Sequence, residues 1–387
     1  MADDTNNKPR FIRKQKLKDV ADIDYGFAFN SDFFNEDGNG LPLVRIRDLK
    51  RGFTKTYTTE IFDKRYLVDS GDMLIGMDGE FNLTVWQAGP ALLNQRVCRI
   101  RAKKSQVREG YLRFFLPVSL KRIEDRTSCV TVKHLSAKVL NEITLPGHSL
   151  TEQQALADKF IYIEKATTLA IKNSAYLDNL IKSRFVEMFG DCHCEKKSIG
   201  DLVYEMHIGP FGSAMKGDAF VSEEEAACVV YEQKHAIKQS IDLGWRYVDA
   251  AKKSELKRFA AGPGTILVSC RGTIGKVFQL PDNAPIGIIH PSVMKIEIDE
   301  SKLNGVFFSF LLEKLFAEAE TRAVGSGVKM AIKAKDLAST EIEYPPIQLQ
   351  QEFADFASQV DKLQFKTQQQ IEKLKMLKKS LMQEYFG

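Results

Sequence analysis

One stretch of the chain occurs twice. Ser183-Arg-Phe-Val-Glu-Met-Phe-Gly190 resembles Ser380-Leu-Met-Gln-Glu-Tyr-Phe-Gly387 at an offset of 197 residues, and Gln153-Gln-Ala-Leu-Ala-Asp158 pairs with Gln350-Gln-Glu-Phe-Ala-Asp355. Ahead of each stands an extended piece ending in proline, Ile143-Thr-Leu-Pro146 and Ile342-Glu-Tyr-Pro345. Proline pushes the preceding residue out of helical geometry, so both mark a boundary. Further upstream the match weakens but keeps its order. Ser70-Gly-Asp-Met-Leu-Ile-Gly-Met-Asp-Gly79 parallels Pro263-Gly-Thr-Ile-Leu-Val-Ser-Cys-Arg-Gly272 at 193, and Val97-Cys-Arg-Ile100 parallels Val293-Met-Lys-Ile296 at 196. Drift of this size is what loop insertions produce. The chain is one large unit used twice, not a solenoid of short repeats.

Each copy has two parts. The first is rich in short β-type runs, such as Leu43-Val-Arg-Ile46 and Thr265-Ile-Leu-Val268, punctuated by Gly and Pro. The second, residues 151–189 and 349–386, contains neither Gly nor Pro and is built of strong helix formers. Leu156, Ile163, Ala170 and Leu177 recur every seven residues, as do Phe353, Val360, Thr367 and Leu374, with Phe356, Leu363 and Leu377 expected on the adjoining positions. A sustained seven-residue period favours left-handed coiled-coil packing. Each helix would span roughly 58 Å at about 1.5 Å per residue. The expected fold is therefore α+β: two β-rich domains joined by two long helices in an antiparallel coiled coil, with an internal pseudo-two-fold repeat. The expected boundaries are a first domain at 1–146, a central spacer helix at 147–190, a second domain at 191–345 and a C-terminal spacer helix at 346–387. Such a caliper suits a target with two separated half-sites, since a duplex advances roughly 34 Å per turn.

Charge narrows the partners less than its distribution does. The 387 residues carry a net +4, but residues 1–190 hold 30 basic and 24 acidic side chains while residues 191–387 hold 25 and 27. Positive charge concentrates between Arg96 and Lys138. No apolar run reaches the roughly 18 residues needed to span a bilayer, and the polar, acidic start argues against a secretory leader. Six cysteines are too sparse for a disulfide scaffold. A cytoplasmic location is expected, with no membrane partner.

Catalytic and metal motifs fail on inspection. Gly272-Thr-Ile-Gly275-Lys276 has the wrong glycine spacing for a phosphate loop, and Val277 stands where Ser or Thr is required. Tyr344-Pro345-Pro346-Ile347 lacks the amide or carboxylate of an amino-methyltransferase loop. Cys192-His193-Cys194 supplies too few spaced donors for structural zinc. No catalytic residue, metal site or resident cofactor is expected.

Three loops invite a nucleic-acid reading. Ile208-Gly-Pro-Phe-Gly-Ser-Ala-Met-Lys-Gly217 would let Phe211 pack while Lys216 projects, and its first-copy counterpart is Tyr25-Gly-Phe-Ala-Phe-Asn30. In Val324-Gly-Ser-Gly-Val-Lys-Met-Ala-Ile-Lys333, glycine backbone N–H groups could approach a phosphate closely, with Lys329 and Lys333 adding charge. Residues 126–133 are the equivalent, with hydroxyls and two cations.

In this order, twice over, the motifs resemble the specificity subunits of type I restriction–modification systems. The carriers are residues 209–216, residues 264–275, Ser326-Gly-Val-Lys329, the Pro345-Pro346 boundary and the Gln350-Gln351 helix opening. The first copy departs most where Met77-Asp-Gly-Glu80 replaces Cys270-Arg-Gly-Thr273, as two domains reading different half-sites would. The resemblance implies a non-catalytic subunit that binds double-stranded DNA through two target recognition domains. It implies two modification subunits that methylate adenine N6 using S-adenosylmethionine, and restriction subunits that use ATP and Mg²⁺. Candidate DNA contacts are Arg45, Arg47, Lys50, Arg51, Arg126 and Lys133 in the first domain, and Lys216, Lys234, Arg271, Lys276, Lys329 and Lys333 in the second. The alternatives are a coiled-coil protein scaffold without DNA binding and the specificity subunit of a related multi-subunit system.

Overall fold

The computed structural model describes residues 14–127, 133–190, 194–323 and 333–387. Contacts divide the chain into unit 1, Met1–Lys172 with Thr367–Gly387, and unit 2, Asn173–Lys366. Five helices matter here: α1 Glu109–Arg126, α2 Leu150–Phe189, α3 Gln233–Lys238, α4 Gly305–Ala323 and α5 Ile347–Phe386. The unit boundary falls inside α2 and inside α5, so each unit owns half of each long helix.

The main strands of unit 1 are β1 Ala21–Tyr25, β2 Leu41–Val44, β3 Leu67–Val68, β4 Met73–Gly76, β5 Leu83–Val85, β6 Ala91–Leu93 and β7 Val97–Ala102. An antiparallel sheet runs β1-β7-β4-β5. In a second sheet β2 pairs parallel with β6, and β3 pairs antiparallel with β6. Side chains alternate across the first sheet. Met73, Ile75, Cys98 and Ile100 join a core with Tyr111, Leu112 and Phe115 of α1, while Leu74 and Val97 join Val44, Val68 and Leu93 of the second sheet. A strand covered on both faces reads as a continuous apolar run, which is why residues 73–75 carry no polar alternation.

Unit 2 repeats this plan with β8 Val203–Ile208, β9 Cys228–Tyr231, β10 Ala260–Ala261, β11 Ile266–Ser269, β12 Val277–Gln279, β13 Gly287–Ile289 and β14 Val293–Ile298. The first sheet runs β8-β14-β11-β12. In the second, β9 is parallel and β10 antiparallel to β13. Ile266, Val268, Met294 and Ile296 face Phe307, Phe308 and Leu312 of α4, while Leu267 and Val293 face Tyr231 and Ile289. The two units therefore share strand order, direction and burial pattern.

Within each unit the two long helices run antiparallel. In unit 1 Phe160 stacks on Phe386 at 5.6 Å between centroids and Glu164 meets Lys378 at 2.7 Å. In unit 2 Phe185 packs edge-on to Phe353 at 5.2 Å, and Gln364 donates to Asp178. Of the seven-residue series, Leu156, Ile163, Ala170, Phe353 and Val360 are buried and Leu177, Thr367 and Leu374 half-buried. The adjoining column differs from expectation. Leu363 and Leu377 are 51% and 47% exposed, and the inward series four residues on from Phe353 is Ala357, Gln364, Ile371 and Lys378. Spacings of three and four both follow a helical stripe, and the partner helix decides which column is covered.

The Gln-Gln helix openings have matching roles. Gln153 Oε1 accepts from the Arg108 N–H at the start of α1, and its Nε2 donates to the His148 carbonyl. Gln350 Oε1 accepts from the Asn304 N–H ahead of α4, and its Nε2 donates to the Lys302 and Pro345 carbonyls. Both glutamines are buried. In each unit one amide joins the long helix to the N-terminus of the helix packed on the sheet, satisfying backbone groups that no helix satisfies for itself.

Candidate nucleic-acid interface

Two sheets are held together in each unit by a buried cation at one position. Arg99 of β7 pairs with Asp24 and donates to the carbonyls of Leu67, in β3, and Arg65. Lys295 of β14 pairs with Glu205 and Glu297 and donates to the carbonyl of Ala260, in β10, at 2.8 Å. Leu67 pairs with Leu92, and Ala260 with Ile288, so the two carbonyls occupy the same place in the second sheet. Both cations are nearly fully buried, as charges can be only when paired and hydrogen-bonded.

A short turn follows the parallel strand of each second sheet. In unit 1 the Arg45 N–H donates to Asp48 Oδ2 at 3.0 Å, and in unit 2 the Glu232 N–H donates to His235 Nδ1 at 2.9 Å. Both receiving side chains are buried. This equivalence puts Arg47 opposite Lys234. His235 stacks on Trp245 at 4.4 Å, and burial lowers its affinity for a proton below the ordinary histidine range.

Facing that turn is the loop from β4 to β5, or from β11 to β12. The Met77 N–H donates to the Arg96 carbonyl and the Gly76 N–H to the Asn82 carbonyl; Cys270 donates to Ser292 and Ser269 to Lys276 in the same way. Gly79 and Gly272 have φ of +72° and +67°, where a side chain is strained. In unit 1 Arg47, Lys50, Asp78, Glu80 and Asn82 line a cavity of about 210 Å³. Lys50 pairs with Glu80 at 2.5 Å, and Asp78 takes Arg96 at 3.2 Å and His134 at 2.6 Å. The lysine's hydrogen bond holds the Glu80 carboxyl below its usual range.

A family model described as the type I restriction modification DNA specificity domain matches residues 12–176 and 236–376. The chain belongs to this family. A 143-residue segment is 44% identical to the specificity subunit of the type I restriction enzyme EcoBI from Escherichia coli; it spans 37% of this chain and only 30% of that protein. Three solved structures share the fold over nearly the whole chain. The S subunit of the type I restriction–modification system of M. genitalium gives a TM-score of 0.57 at 12% identity, covering 100% of this chain and 99% of that one. A chain from work on complex assembly and conformational transition of the type I R-M system gives 0.66 at 14%, covering 99% of each. The HsdS subunit of Thermoanaerobacter tengcongensis gives 0.50 at 15%, covering 100% and 99%.

In this specificity chain the expected contact residues fall into groups. Arg45, Arg47, Lys50 and Arg51 share one turn, with Arg45 half-buried near the Phe34 ring and Arg47 bonded to Thr56 at 3.3 Å. The Lys133 carbonyl accepts from Gly79 and its ammonium donates to the Glu124 carbonyl at 2.6 Å, so it lies beside the same loop. Arg126 is exposed at the end of α1. In unit 2 Arg271 and Lys276 sit exposed on the β11–β12 loop, where a Cβ on Gly272 would lie 3.4 Å from Gln233, the neighbour of Lys234. Lys234 is engaged by Glu232 at 3.0 Å. Lys216 and Lys333 are exposed, and no contact among the described residues brings them to that loop. Arg51, Lys216, Arg271, Lys276 and Lys333 make no ion pair among the described residues. Lys329, the rest of residues 324–332, residues 128–132, Cys192 and His193 lie outside the described residues.

One expectation fails outright. Phe211 does not pack: it is 89% exposed, and Pro210 and Met215 are the buried residues of its loop. The element of that loop shared by both copies is Gly209, whose N–H bonds the Val293 carbonyl as Gly26 bonds Val97, and where a Cβ would meet the His290 carbonyl oxygen at 2.2 Å. The reading from sequence also missed Arg96, Asn82 and His134, which join the β4–β5 loop, and Arg246, which joins Glu232 beside Lys234. Arg96 was visible only as part of the basic stretch, Asn82 lies within the loop itself, and nothing in the order of residues ties His134 to a loop 56 residues away. No described helix is long and apolar enough to cross a membrane.

Proposed function

We propose that this chain is the DNA-sequence-specificity subunit of a type I restriction–modification complex. It binds a bipartite duplex through recognition domains at 1–146 and 191–345, and its spacer helices at 147–190 and 346–387 dock the modification and restriction subunits. The chain itself is non-catalytic and acts in the cytoplasm. Adenine-N6 methylation with S-adenosylmethionine, and ATP- and Mg²⁺-dependent cleavage, belong to the partner subunits. One observation carries the reading: the same two-sheet frame occurs twice, with cations gathered in the same turn-and-loop region of each copy, on the turn in unit 1 and mainly on the loop in unit 2. Phosphate contacts from those cations would set register, and base-edge contacts would select sequence.

The test is binding and methylation by the chain assembled with its modification subunit, over duplexes of varied sequence and at several salt concentrations. Selectivity for a two-part motif, with affinity falling steeply as salt rises, is the expected result. Indifference of the assembled complex to sequence would sink the proposal.

A further inference from the structure

We infer that the β4–β5 loop of unit 1 and the β11–β12 loop of unit 2 are equivalent base-reading elements of opposite hydrogen-bonding character. Asp78 accepts from a base edge bearing an exocyclic amine, and Arg271 donates to a guanine edge. The inference rests on the proposed DNA-binding function and deepens it.

Three observations lead there. The loops share a backbone frame: the same two N–H groups bond the same two carbonyl positions, and a glycine with positive φ follows the central residue. Within that frame the chemistry inverts. Asp78 lies opposite Arg271 and Glu80 opposite Thr273, whereas several framework positions keep their type, with Gly26 and Gly209, Gln153 and Gln350, or two cations at 99 and 295. A carboxylate is acceptor-only and a guanidinium donor-only. One place in the frame thus offers opposite halves of a hydrogen bond in the two units.

The setting of the carboxylates supplies the third observation. Asp78 and Glu80 stand among Arg47, Lys50, Arg96 and Lys133, which favour a polyanion. A carboxylate is repelled by phosphate, so positioning on the backbone is not its role. What it can accept from in the major groove is the amine of cytosine N4 or adenine N6, while arginine takes guanine O6 and N7. Arg96, His134 and Lys50 hold the two carboxylates and screen them from the DNA charge. In unit 2 Arg271 is exposed, without an ion pair among the described residues, and needs no such support.

The experiment uses the chain assembled with its modification subunit and a duplex library in which each half-site is randomised in turn. Asp78→Ala and the nearly isosteric Asp78→Asn should relax preference by about tenfold at one base pair of one half-site. The other half-site should keep its selectivity. Arg271→Ala should do the converse, at a position where the wild type selects guanine. Uniform loss of affinity with base preference intact in both half-sites would overturn the inference and leave the proposed function standing. Wild-type indifference to sequence would overturn both. If Asp78→Ala fails to assemble, Asp78→Asn and Arg271→Ala decide the matter independently.

Discussion

Removing the acids around Lys295 should damage unit 2 more than removing the lysine itself. The reason is the uneven burial of the group: the Lys295 side chain is 3% exposed, while Glu205 and Glu297 are 35% and 40% exposed. In Lys295→Met the apolar stem is replaced in kind, both carboxylates relax into water, and the principal loss is one hydrogen bond to the Ala260 carbonyl. An unsatisfied buried acceptor costs about 1–3 kcal/mol. The double change Glu205→Gln with Glu297→Gln leaves an ammonium in the interior without a counter-charge. Breaking a buried pair in that way costs about 3–5 kcal/mol. For a unit of roughly 150–250 residues each kcal/mol moves Tm by about 2–4 °C. Thermal melts at pH 7, with hydrogen exchange following the amides of β10 and β14, would rank the two variants. A Lys295→Met variant that melts as low as the double variant would refute the reasoning, because the attraction itself, not the buried lone charge, would then govern stability.

Other outcomes follow from the same geometry. Gly26→Ala places a Cβ 2.1 Å from the Asn94 carbonyl oxygen; overpacking of this kind costs about 1–3 kcal/mol, and a lowered melting temperature for unit 1 checks it. Gln350→Leu orphans the Asn304 N–H and the Pro345 carbonyl, while the Lys302 carbonyl keeps the Tyr344 hydroxyl, and Gln153→Leu orphans the Arg108 N–H and the His148 carbonyl, so denaturant titration should show similar losses for the two variants, about 1–3 kcal/mol per orphaned group. Burial lowers the proton affinities of His235 and His290. A histidine whose folded pKa is depressed contributes stability fully present above its unfolded value of about 6.5 and lost as pH falls through the folded value. Unit 2 should therefore lose stability on acidification below about pH 6.5, and His235→Asn should flatten that slope in a series of melts against pH.

Much of the architecture was legible because repetition and period survive in one dimension. Seven-residue spacing marked both helices, and paired motifs marked two copies of one unit. The inward column beside Phe353 was not legible, since Leu363 and Gln364 both satisfy a helical stripe and only the partner helix chooses between them. The contact residues were half legible. Arg45 to Arg51 stood out as a basic turn, but Asp78 and His134 meet across 56 residues of chain. The correspondence of Asp48 with His235 has no trace in residue type; it appears only because each bonds the N–H three residues before it.

By itself, the order of amino acids determined what depends on local preference or on repetition: two long helices, two β-rich parts, and the doubling of the whole. Tertiary structure alone decided which residues share a site. The buried cations show why. Arg99 and Lys295 are aligned in sequence, yet Arg99 takes one acid from directly across on β1 and another, Asp72, from just ahead of β4, while Lys295 takes one from two residues along β8 and another from its own strand. A buried charge requires neutralisation but does not specify which neighbour provides it. That choice is made by strand register and side-chain reach, neither of which exists before the sheets are packed.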